Sequence, residues 1–469
     1  MHLRLFRHFI PLSGIILALL DALFIWCNLY YVYIIFPQSV SVSFDIPSLF
    51  AHSDAFFWLV TVIVMMSIGL YASQKFATFS TLANRIAVAS ALIVPFSLVL
   101  TPHANAETTI GVSPDFPLQP ALMWFLWVTL TRGAFATGFE LGLLKRRILV
   151  LGGGEQAGRI AKLAETGQKH PFIPVSYVEL PGERPCVRTQ GGVIAAAGDL
   201  DALVELANTL RVSEIVVATG ERRGLPVRQL LHCKISGFKV TEFLDFWERE
   251  TRTIDLQALR PSWLFYSDGF RCRVIDAVLK RAFDITVSLA VLALTLPIQL
   301  LTACLIKLES PGPVFYHQER VGRYGRVFSI LKFRSMRADA ETDGEPRWAT
   351  ERDSRITRVG AVIRKLRIDE LPQLINVLRG DMSFVGPRPE RPLFVEQLSK
   401  AIPYYAERHW IRPGITGWAQ VNYPYGASLE EARHKLSYDL YYLKNVSIFL
   451  DFLILLQTLP VVLLRTGAR

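Results

Sequence analysis

The chain of 469 residues is long enough for two or three domains, and 51% of its residues are hydrophobic, with a mean hydropathy of +0.30. Both values are high for a soluble protein, and because the apolar residues are clustered they indicate membrane segments. The net charge of +10 predicts an anionic partner, and beside long apolar segments lipid phosphate or a nucleotide fits better than nucleic acid. The five cysteines show no metal-ligand spacing, which indicates reduced structural thiols in a reducing compartment.

Four apolar segments occupy the N-terminal part of the chain. They cover approximately residues 10–35, 56–71, 86–100 and 120–139. The loops 36–55 and 101–118 contain no Lys or Arg, so the positive-inside rule places the N-terminus and everything after the fourth segment in the cytoplasm. Residues 1–145 are therefore predicted to form four transmembrane helices. Asp21 and Arg132 lie inside two of these segments, where packing or snorkelling is favoured over a functional role.

A glycine-rich turn follows the fourth segment. A buried strand leads into Gly152 and Gly154, a helix begins after them, and together they predict a Rossmann-like, doubly wound α/β domain over residues 146–265. Further strands are predicted at Pro174–Val178, Gly192–Ala195, Glu214–Val217 and Phe238–Thr241. The two glycines fit a loose dinucleotide-binding pattern, and Glu179 stands where a ribose contact is expected. This signal is weak, and structural or regulatory use is favoured over cofactor chemistry.

Residues 282–306 form a fifth apolar segment with cations on both sides, so charge gives it no direction. Pro297 lies near its middle, where a proline removes a helix hydrogen bond and favours a kink. A full crossing would place the following basic region outside the cell, whereas a re-entrant helix keeps it inside, and the residues alone leave both paths open. The last apolar segment, Ile448–Leu464, contains Asp451 and Pro460 and predicts a helix lying on the membrane.

Two adjacent carboxylates stand out in the region that follows. Asp369 and Glu370 precede a predicted helix whose first turn contains Pro372. An ionised aspartate beside bound phosphate can act as a nucleophile, and an adjacent carboxylate can hold Mg²⁺. The alternative is an ordinary helix cap with an acidic first turn, and without further context the residues favour that alternative.

Seven motifs in this region, taken together, resemble the bacterial sugar transferases. These are the polyprenyl-phosphate hexose-1-phosphate transferases, or monotopic phosphoglycosyl transferases. The motifs are Lys280–Asp284, Ser310–Pro313, Gln318–Gly322, Lys332–Met336, Asp369–Gln373, Gly380–Pro389 and Arg412–Gly417. Four N-terminal spans followed by an α/β domain resemble the large subgroup, which serves exopolysaccharide or O-antigen synthesis.

The resemblance implies a role for individual residues. Asp369 is expected to be the nucleophile that forms a phospho-sugar enzyme intermediate with release of UMP, and Glu370, together with Asp369, is expected to hold Mg²⁺. Arg388 is a candidate phosphate contact. Weaker candidates for binding substrate phosphates are Lys332, Arg334, Arg364 and Arg367. Pro297 matches the family's helix-breaking proline, which favours the re-entrant path for residues 282–306 and implies an α-rich, monotopic catalytic domain over residues 276–469.

The implied partners are a UDP-sugar, polyprenyl phosphate and membrane lipids at the cytoplasmic face of the bacterial inner membrane, without nucleic acid. A homodimer built through the N-terminal half is a further expectation, and the sugar stays open. Three alternatives are a membrane-tethered nucleotide-binding sensor or scaffold, a nicotinamide-dependent epimerase or dehydratase, and a glycosyltransferase that releases UDP. The second is disfavoured because residues 147–265 contain no Tyr-x-x-x-Lys pair.

Overall fold

The computed structural model of the protein describes residues 2–5, 8–35, 53–71, 82–90, 93, 118–165, 170–180, 193–195, 203–220, 225–270, 273–337, 355–423 and 428–463. The chain forms two compact units. The first unit comprises Met1–Leu5 and Phe9–Thr251, and the second comprises Phe6–His8 and Arg252–Arg469. Each unit has its own hydrophobic clusters and is described separately.

Apolar helices make up the N-terminal part of the first unit. After two short strands, β1 (His2–Leu5) and β2 (His8–Pro11), the helical parts are α1 (Leu12–Ile35), α2 (Ser53–Ile68), residues 82–90 and α3 (Leu118–Glu140). Their facing side chains form a buried cluster that includes Met65, Trp124 and Val128. These helices coincide with parts of the four predicted segments. Residues 36–52 and 94–117 lie outside the described part of the chain, so the four-helix transmembrane bundle stays a prediction.

A buried ion pair connects two of these helices. Arg132 of α3 donates from Nη1 to Asp21 Oδ1 of α1 at 2.7 Å and from Nη2 to Oδ2 at 2.5 Å, and Trp127 Nε1 donates to Oδ1 at 3.1 Å. Both charged side chains are almost fully buried. They pair with each other inside the helix cluster, and removal of one partner would leave the other charge buried and uncompensated.

A five-stranded parallel sheet forms the rest of the first unit. Its strands are β3 (Arg146–Leu151), β4 (Phe172–Val178), β5 (Val193–Ala195), β6 (Glu214–Val217) and β7 (Lys239–Glu242). The spatial order is β5-β4-β3-β6-β7, with every neighbouring pair parallel. The intervening helices are α4 (Glu155–Glu165), α5 (Leu203–Thr209), α6 (Val227–Ile235) and α7 (Phe243–Thr251). The predicted parallel α/β sheet is confirmed.

The central strand β3 has the composition that predicts a buried parallel strand. Its residues Ile148–Leu151 are apolar without interruption and fully buried, as a parallel strand covered on both faces requires. The chain then turns through Gly152, whose φ of +122° is one that glycine adopts without a steric penalty, and α4 begins at Glu155.

A long apolar helix organises the second unit. This helix, α9 (Val274–Glu309), has 36 residues, and within the described residues it is the one helix long and apolar enough to cross a membrane. The helix continues through Pro297. Leu294 and Leu300 are among its exposed side chains, which together form an apolar surface of the kind that lipid covers. The re-entrant path of residues 282–306 stays a prediction.

The remaining elements of the second unit are short. They are the antiparallel hairpin β8 (Phe315–Val321) and β9 (Val327–Phe333), the parallel pair β10 (Ser383–Val385) and β11 (Gly414–Thr416), and the helices α8 (Pro261–Tyr266), α10 (Arg358–Lys365), α11 (Gln373–Arg379), α12 (Pro392–Ala401), α13 (Trp418–Asn422), α14 (Leu429–Lys444) and α15 (Ile448–Leu463). Helices thus outnumber strands in this unit, as far as the structure describes it.

A buried polar cluster joins α9, β10 and α15. The Asp284 carboxylate of α9 accepts hydrogen bonds from Ser383 Oγ at 2.8 Å and from Lys280 Nζ at 3.1 Å. Lys280 also pairs with Asp451 of α15 at 2.8 Å and donates to the Val385 carbonyl at 3.1 Å. Because two buried carboxylates share one ammonium group, the cluster fixes the three elements relative to one another. Asp451, which suggested an interfacial helix, points into this cluster.

Candidate active site

Asp369 and Glu370 lie in a 3₁₀ turn, Ile368–Glu370, between α10 and α11. The preceding helix α10 ends at Lys365, and Arg367, with a left-handed φ of +58°, directly precedes the 3₁₀ turn. The sequence predicted that the carboxylates precede a helix with Pro372 in its first turn; in the structure they precede α11, and Pro372 is its cap residue. Because α11 has only seven residues, its dipole is a small contribution and the local field comes mainly from charged side chains.

Three cations converge on one oxygen of Glu370. Oε1 lies 3.0 Å from Arg388 Nη2, 3.5 Å from Arg367 Nη1 and 3.6 Å from Lys332 Nζ. Lys332 comes from β9, Arg367 from the turn itself and Arg388 from the segment after β10. The structure therefore brings together three of the predicted phosphate-binding residues around a predicted metal ligand.

The cations determine the protonation of Glu370. Burial alone would raise its pKa, but Arg388, Lys332 and Arg367 outweigh burial and hold the pKa of Glu370 well below its usual range. Burial also lowers the pKa of Lys332, because a desolvated ammonium group is disfavoured, although Glu370 opposes this effect. The site thus combines a carboxylate whose ionised form is favoured with three nearby cations.

Asp369 is in a different electrostatic environment from Glu370. Burial, and then the charge of Glu370, raise the pKa of Asp369 to about 6, against the opposing effect of Lys332, Arg367 and Arg364. Its Oδ1 atom is buried and has no hydrogen-bond partner among the described residues. A buried, unsatisfied carboxylate oxygen is costly to the fold and is typical of a group kept for chemistry.

The two other predicted arginines differ in placement. Arg364, in the last turn of α10, contributes to the positive field at Asp369. Arg334 is buried, and its guanidinium donates to the carbonyl oxygens of Pro311 at 2.8 Å and Ser310 at 2.9 Å. It is therefore committed to the turn that follows α9, and the geometry favours a structural role for Arg334 over the predicted phosphate contact.

Close main-chain contacts hold the segment that carries Arg388. Gly386 N donates to Thr416 O at 2.8 Å, and Gly414 N donates to Pro387 O at 2.9 Å. A Cβ atom at Gly386 would lie 2.4 Å from the Arg412 carbonyl oxygen, so only glycine permits this approach. The Gly-Pro-Arg-Pro motif is thus explained by backbone packing at its glycine and by the cation at its arginine.

The glycine turn of the first unit is built as predicted, between β3 and α4. Gly152 N donates to Val178 O at 2.8 Å, which continues the ladder beyond the strand end, and Gly154 O accepts from Gly158 N at 3.0 Å. The predicted ribose contact, Glu179, packs close to Gly153, where an added Cβ would lie 3.1 Å from Glu179 Cγ. Dinucleotide binding by this turn stays a prediction.

Sequence reasoning missed a group of residues behind Arg388. Arg408 donates from Nη2 to the Arg388 carbonyl at 3.0 Å, and it pairs with Asp439 of α14. Arg320 Nη1 donates to the carbonyl of Pro389, the residue directly after Arg388, at 3.2 Å. Nothing in the local sequence distinguishes a buried arginine from an exposed one, so only the three-dimensional arrangement reveals these contacts.

The two carboxylates are compatible with a magnesium site. Mg²⁺ is commonly held by one or two carboxylates together with substrate phosphates, and the buried, unsatisfied Oδ1 of Asp369 is an available ligand atom in the described structure. The described residues contain no group of three or more His, Cys, Asp or Glu that could hold a metal ion by themselves. Any metal bound here would therefore complete its coordination with substrate oxygens and water.

Comparison with known proteins identifies similar sequences for the part of the chain that carries this site. Residues 275–465 match the family model described as bacterial sugar transferase. A UDP-glucose:undecaprenyl-phosphate glucose-1-phosphate transferase from Escherichia coli (strain K12) is 32% identical over 369 residues, which cover 74% of this chain and 76% of that protein. A protein of the same name from Xanthomonas campestris pv. campestris is 32% identical over 344 residues, covering 70% of this chain and 69% of that protein.

A second group of relatives is more similar over a shorter stretch. A UDP-N-acetylgalactosamine-undecaprenyl-phosphate N-acetylgalactosaminephosphotransferase from Aeromonas hydrophila is 52% identical over 195 residues. That alignment covers 42% of this chain and spans less than half, 46%, of the Aeromonas protein. The family match, the long alignment with the Escherichia coli protein and the motif-bearing site lead to one conclusion: the chain belongs to the bacterial sugar transferase family.

Proposed function

We propose that the protein transfers a sugar-1-phosphate from a UDP-sugar to undecaprenyl phosphate and releases UMP. The observation that carries this proposal is the buried carboxylate of Asp369, whose Oδ1 has no partner among the described residues and lies next to an ionised Glu370 surrounded by cations. The names of the Escherichia coli and Aeromonas relatives support the substrate class.

The reaction proceeds in two displacements at one phosphorus atom. In the first, an Asp369 carboxylate oxygen attacks the sugar-bearing phosphorus, the anhydride P–O bond breaks, and UMP leaves with the bonding electron pair. In the second, an oxygen of undecaprenyl phosphate attacks the same phosphorus and Asp369 leaves as a carboxylate. The products are UMP and an undecaprenyl diphosphate sugar, and the enzyme returns to its initial state.

The surrounding residues make these steps possible at neutral pH. With a pKa of about 6, Asp369 is mostly ionised at pH 7 and is more basic than an ordinary aspartate, which favours nucleophilic attack. Arg388, Lys332 and Arg367 attract the phosphate oxygens and offset the negative charge that would repel the carboxylate. Bound Mg²⁺ would be held by Asp369 and Glu370 and would supply further neutralisation of phosphate charge.

The location follows from the acceptor. The prenyl chain of undecaprenyl phosphate is buried in lipid, so the carboxylate pair has to lie at the membrane surface, and we propose that α9 anchors it there as a re-entrant helix that bends at Pro297. Multiple N-terminal spans would then keep the enzyme in the bacterial inner membrane, with its active site facing the cytoplasmic UDP-sugar. A product of this type fits the first membrane step of exopolysaccharide or O-antigen synthesis.

Nucleotide release by the purified, full-length protein tests the proposal. The protein is incubated in lipid with Mg²⁺, undecaprenyl phosphate and, separately, UDP-N-acetylgalactosamine, UDP-glucose and UDP-galactose. The first donor leads the panel because identity is higher to the Aeromonas relative than to the glucose transferases. We expect release of UMP with one of these donors and transfer of sugar-linked label to protein when the acceptor is omitted.

Two variants complete the experiment. Asp369→Asn is expected to abolish both UMP release and protein labelling. Asp381→Asn, which changes an exposed carboxylate nearby in the chain, is the matched control and should retain activity. Release of UDP would identify a glycosyltransferase, and normal UMP release by Asp369→Asn would exclude the covalent mechanism.

A further inference from the structure

The main chain at Arg388 is held from behind by a second arginine. Arg408 lies on the 3₁₀ turn Ala406–Trp410, is 5% exposed, and donates from Nη2 to the Arg388 carbonyl oxygen at 3.0 Å. Arg388 in turn places its own Nη2 3.0 Å from Glu370 Oε1. A continuous chain of contacts therefore runs from a buried arginine, through the backbone of Arg388, to the carboxylate pair.

Arg408 is itself held on two further sides. Its Nη1 donates to Tyr405 Oη at 2.8 Å, and its Nη2 lies 2.8 Å from Asp439 Oδ2 of α14. Tyr405 and Asp439 are both buried. A planar guanidinium with three fixed partners has little freedom to rotate, so the Arg388 carbonyl is bound to a rigid donor rather than to a mobile surface side chain.

Packing against neighbouring side chains does not by itself fix the backbone that accepts the hydrogen bond from Arg408. The chain just after Arg388 borders a cavity of about 170 Å³. Glu390, Phe394, Arg408 and Asp439 are among its lining residues. On the side of the cavity, the segment is not pressed against a filled core, so a directed hydrogen bond has more influence on its position than it would in a close-packed interior.

We propose that Arg408, oriented by Asp439, is a positioning residue for the transfer reaction. It fixes the main chain at Arg388 and so places the Arg388 guanidinium against Glu370 and the donor phosphates. This inference rests on the proposed function for the nature of the reaction. Arg408 touches neither substrate nor the reacting atoms in this account, and its effect passes entirely through Arg388.

A cycle of variants in the full-length protein tests the inference. Arg408→Lys keeps a positive charge beside Asp439 but cannot reproduce the fork that reaches Tyr405 and Arg388. We expect kcat to fall by about 10- to 100-fold, the range in which small displacements of catalytic groups act. Asp439→Asn keeps the volume of the side chain and weakens the hold on Arg408, so it should give a smaller loss and serves if Arg408→Lys fails to fold.

The decisive measurement is the effect of the same substitutions on kcat in a protein that already carries Arg388→Ala. If Arg408 acts through Arg388, then adding Arg408→Lys or Asp439→Asn to Arg388→Ala should change kcat by less than about twofold. The same loss in both backgrounds would show a general structural role and overturn the inference, as would full activity of a folded Arg408→Lys variant. Lys400→Met, which breaks an exposed ion pair with Glu396 on α12, is the control and should leave turnover unchanged.

The affinity for UMP, measured by calorimetry on the same variants, keeps this test separate from the proposed reaction. UMP carries the phosphate group that the Arg388 side chain would meet, and its binding does not require turnover. If the wild type released no UMP from any donor, the proposed function would fail. The UMP affinities of the single and double variants would still decide the positioning role. The positioning role is supported if Arg408→Lys weakens UMP binding in the wild type but not in the Arg388→Ala variant. An equal loss of affinity in both proteins overturns it.

Discussion

Replacement of Asp369 by Asn is expected to stabilise the folded protein while it abolishes turnover. Burial, and then the neighbouring Glu370, raise the pKa of Asp369 from 3.8 to about 6, so the ionised carboxylate is disfavoured in the folded state. The folded state binds this proton more tightly than the unfolded state does. Wild-type stability therefore rises as the pH falls through 6, and the gain is complete below 3.8.

The size of the effect follows from the two pKa values. A difference between 3.8 and about 6 corresponds to about 3 kcal/mol at pH 8, where the wild type is ionised, and to about half of that at pH 5. Asn has the same shape and no charge to desolvate. Since 1 kcal/mol shifts Tm by about 2–4 °C for a domain of roughly 200 residues, Asp369→Asn should raise Tm by about 6–12 °C at pH 8 and by about half as much at pH 5.

Thermal unfolding followed by circular dichroism at one scan rate measures this difference. The buffer should contain no divalent cation, because a metal bound to the wild-type carboxylate would stabilise it and reduce the contrast. Asp381→Asn, at an exposed position, keeps Asp369 and is the control, so its Tm should match that of the wild type at both pH values. An unchanged Tm for Asp369→Asn at pH 8, or an equal increase at both pH values, would refute the assignment of the raised pKa to burial.

Three other predictions concern packing, the buried ion pair and catalysis. Gly360→Ala should lower Tm and activity, because the new Cβ would lie 1.9 Å from the Ser335 carbonyl oxygen; unchanged thermal unfolding would contradict this. Asp21→Asn should cost about 3–5 kcal/mol by leaving Arg132 buried and unpaired, whereas replacement of both residues by Leu should cost less, as compared by Tm. The value of kcat/KM should fall about tenfold per pH unit below about pH 6, because attack requires ionised Asp369; a flat profile between pH 5 and 7 would oppose this assignment.

Local patterns predicted a substantial part of the fold. The parallel sheet was predictable mainly from its central strand, because Ile148–Leu151 is a continuous apolar run followed by a glycine turn. The family motif singled out the Asp369–Glu370 pair, since the two residues by themselves favour an ordinary helix cap. The path of α9 was not predictable to the same degree, because the direction of an apolar helix depends on the lipid around it.

The electrostatic structure of the site was less accessible to sequence reasoning. Lys332 and Arg388 meet Glu370 only because β9 and the segment after β10 lie beside the same turn. Arg334 and Arg408 are both buried arginines, yet one holds a turn and the other holds the backbone of a site residue. Both residues are arginines, and the hydrogen-bond partner of each is determined by tertiary contacts between distant parts of the chain.

The shared ammonium of Lys280 has a mechanical consequence. It links the base of α9 to the strand that leads into Arg388, since it pairs with Asp284 and donates to the Val385 carbonyl. With α9 in the bilayer as proposed, a change in helix tilt forced by a thicker or thinner hydrocarbon layer would be transmitted to the phosphate-binding arginine. Turnover should then vary with the acyl-chain length of the host lipid. Bilayer thickness would thus regulate the rate of the enzyme, and a short-chain detergent would not fully replace its membrane.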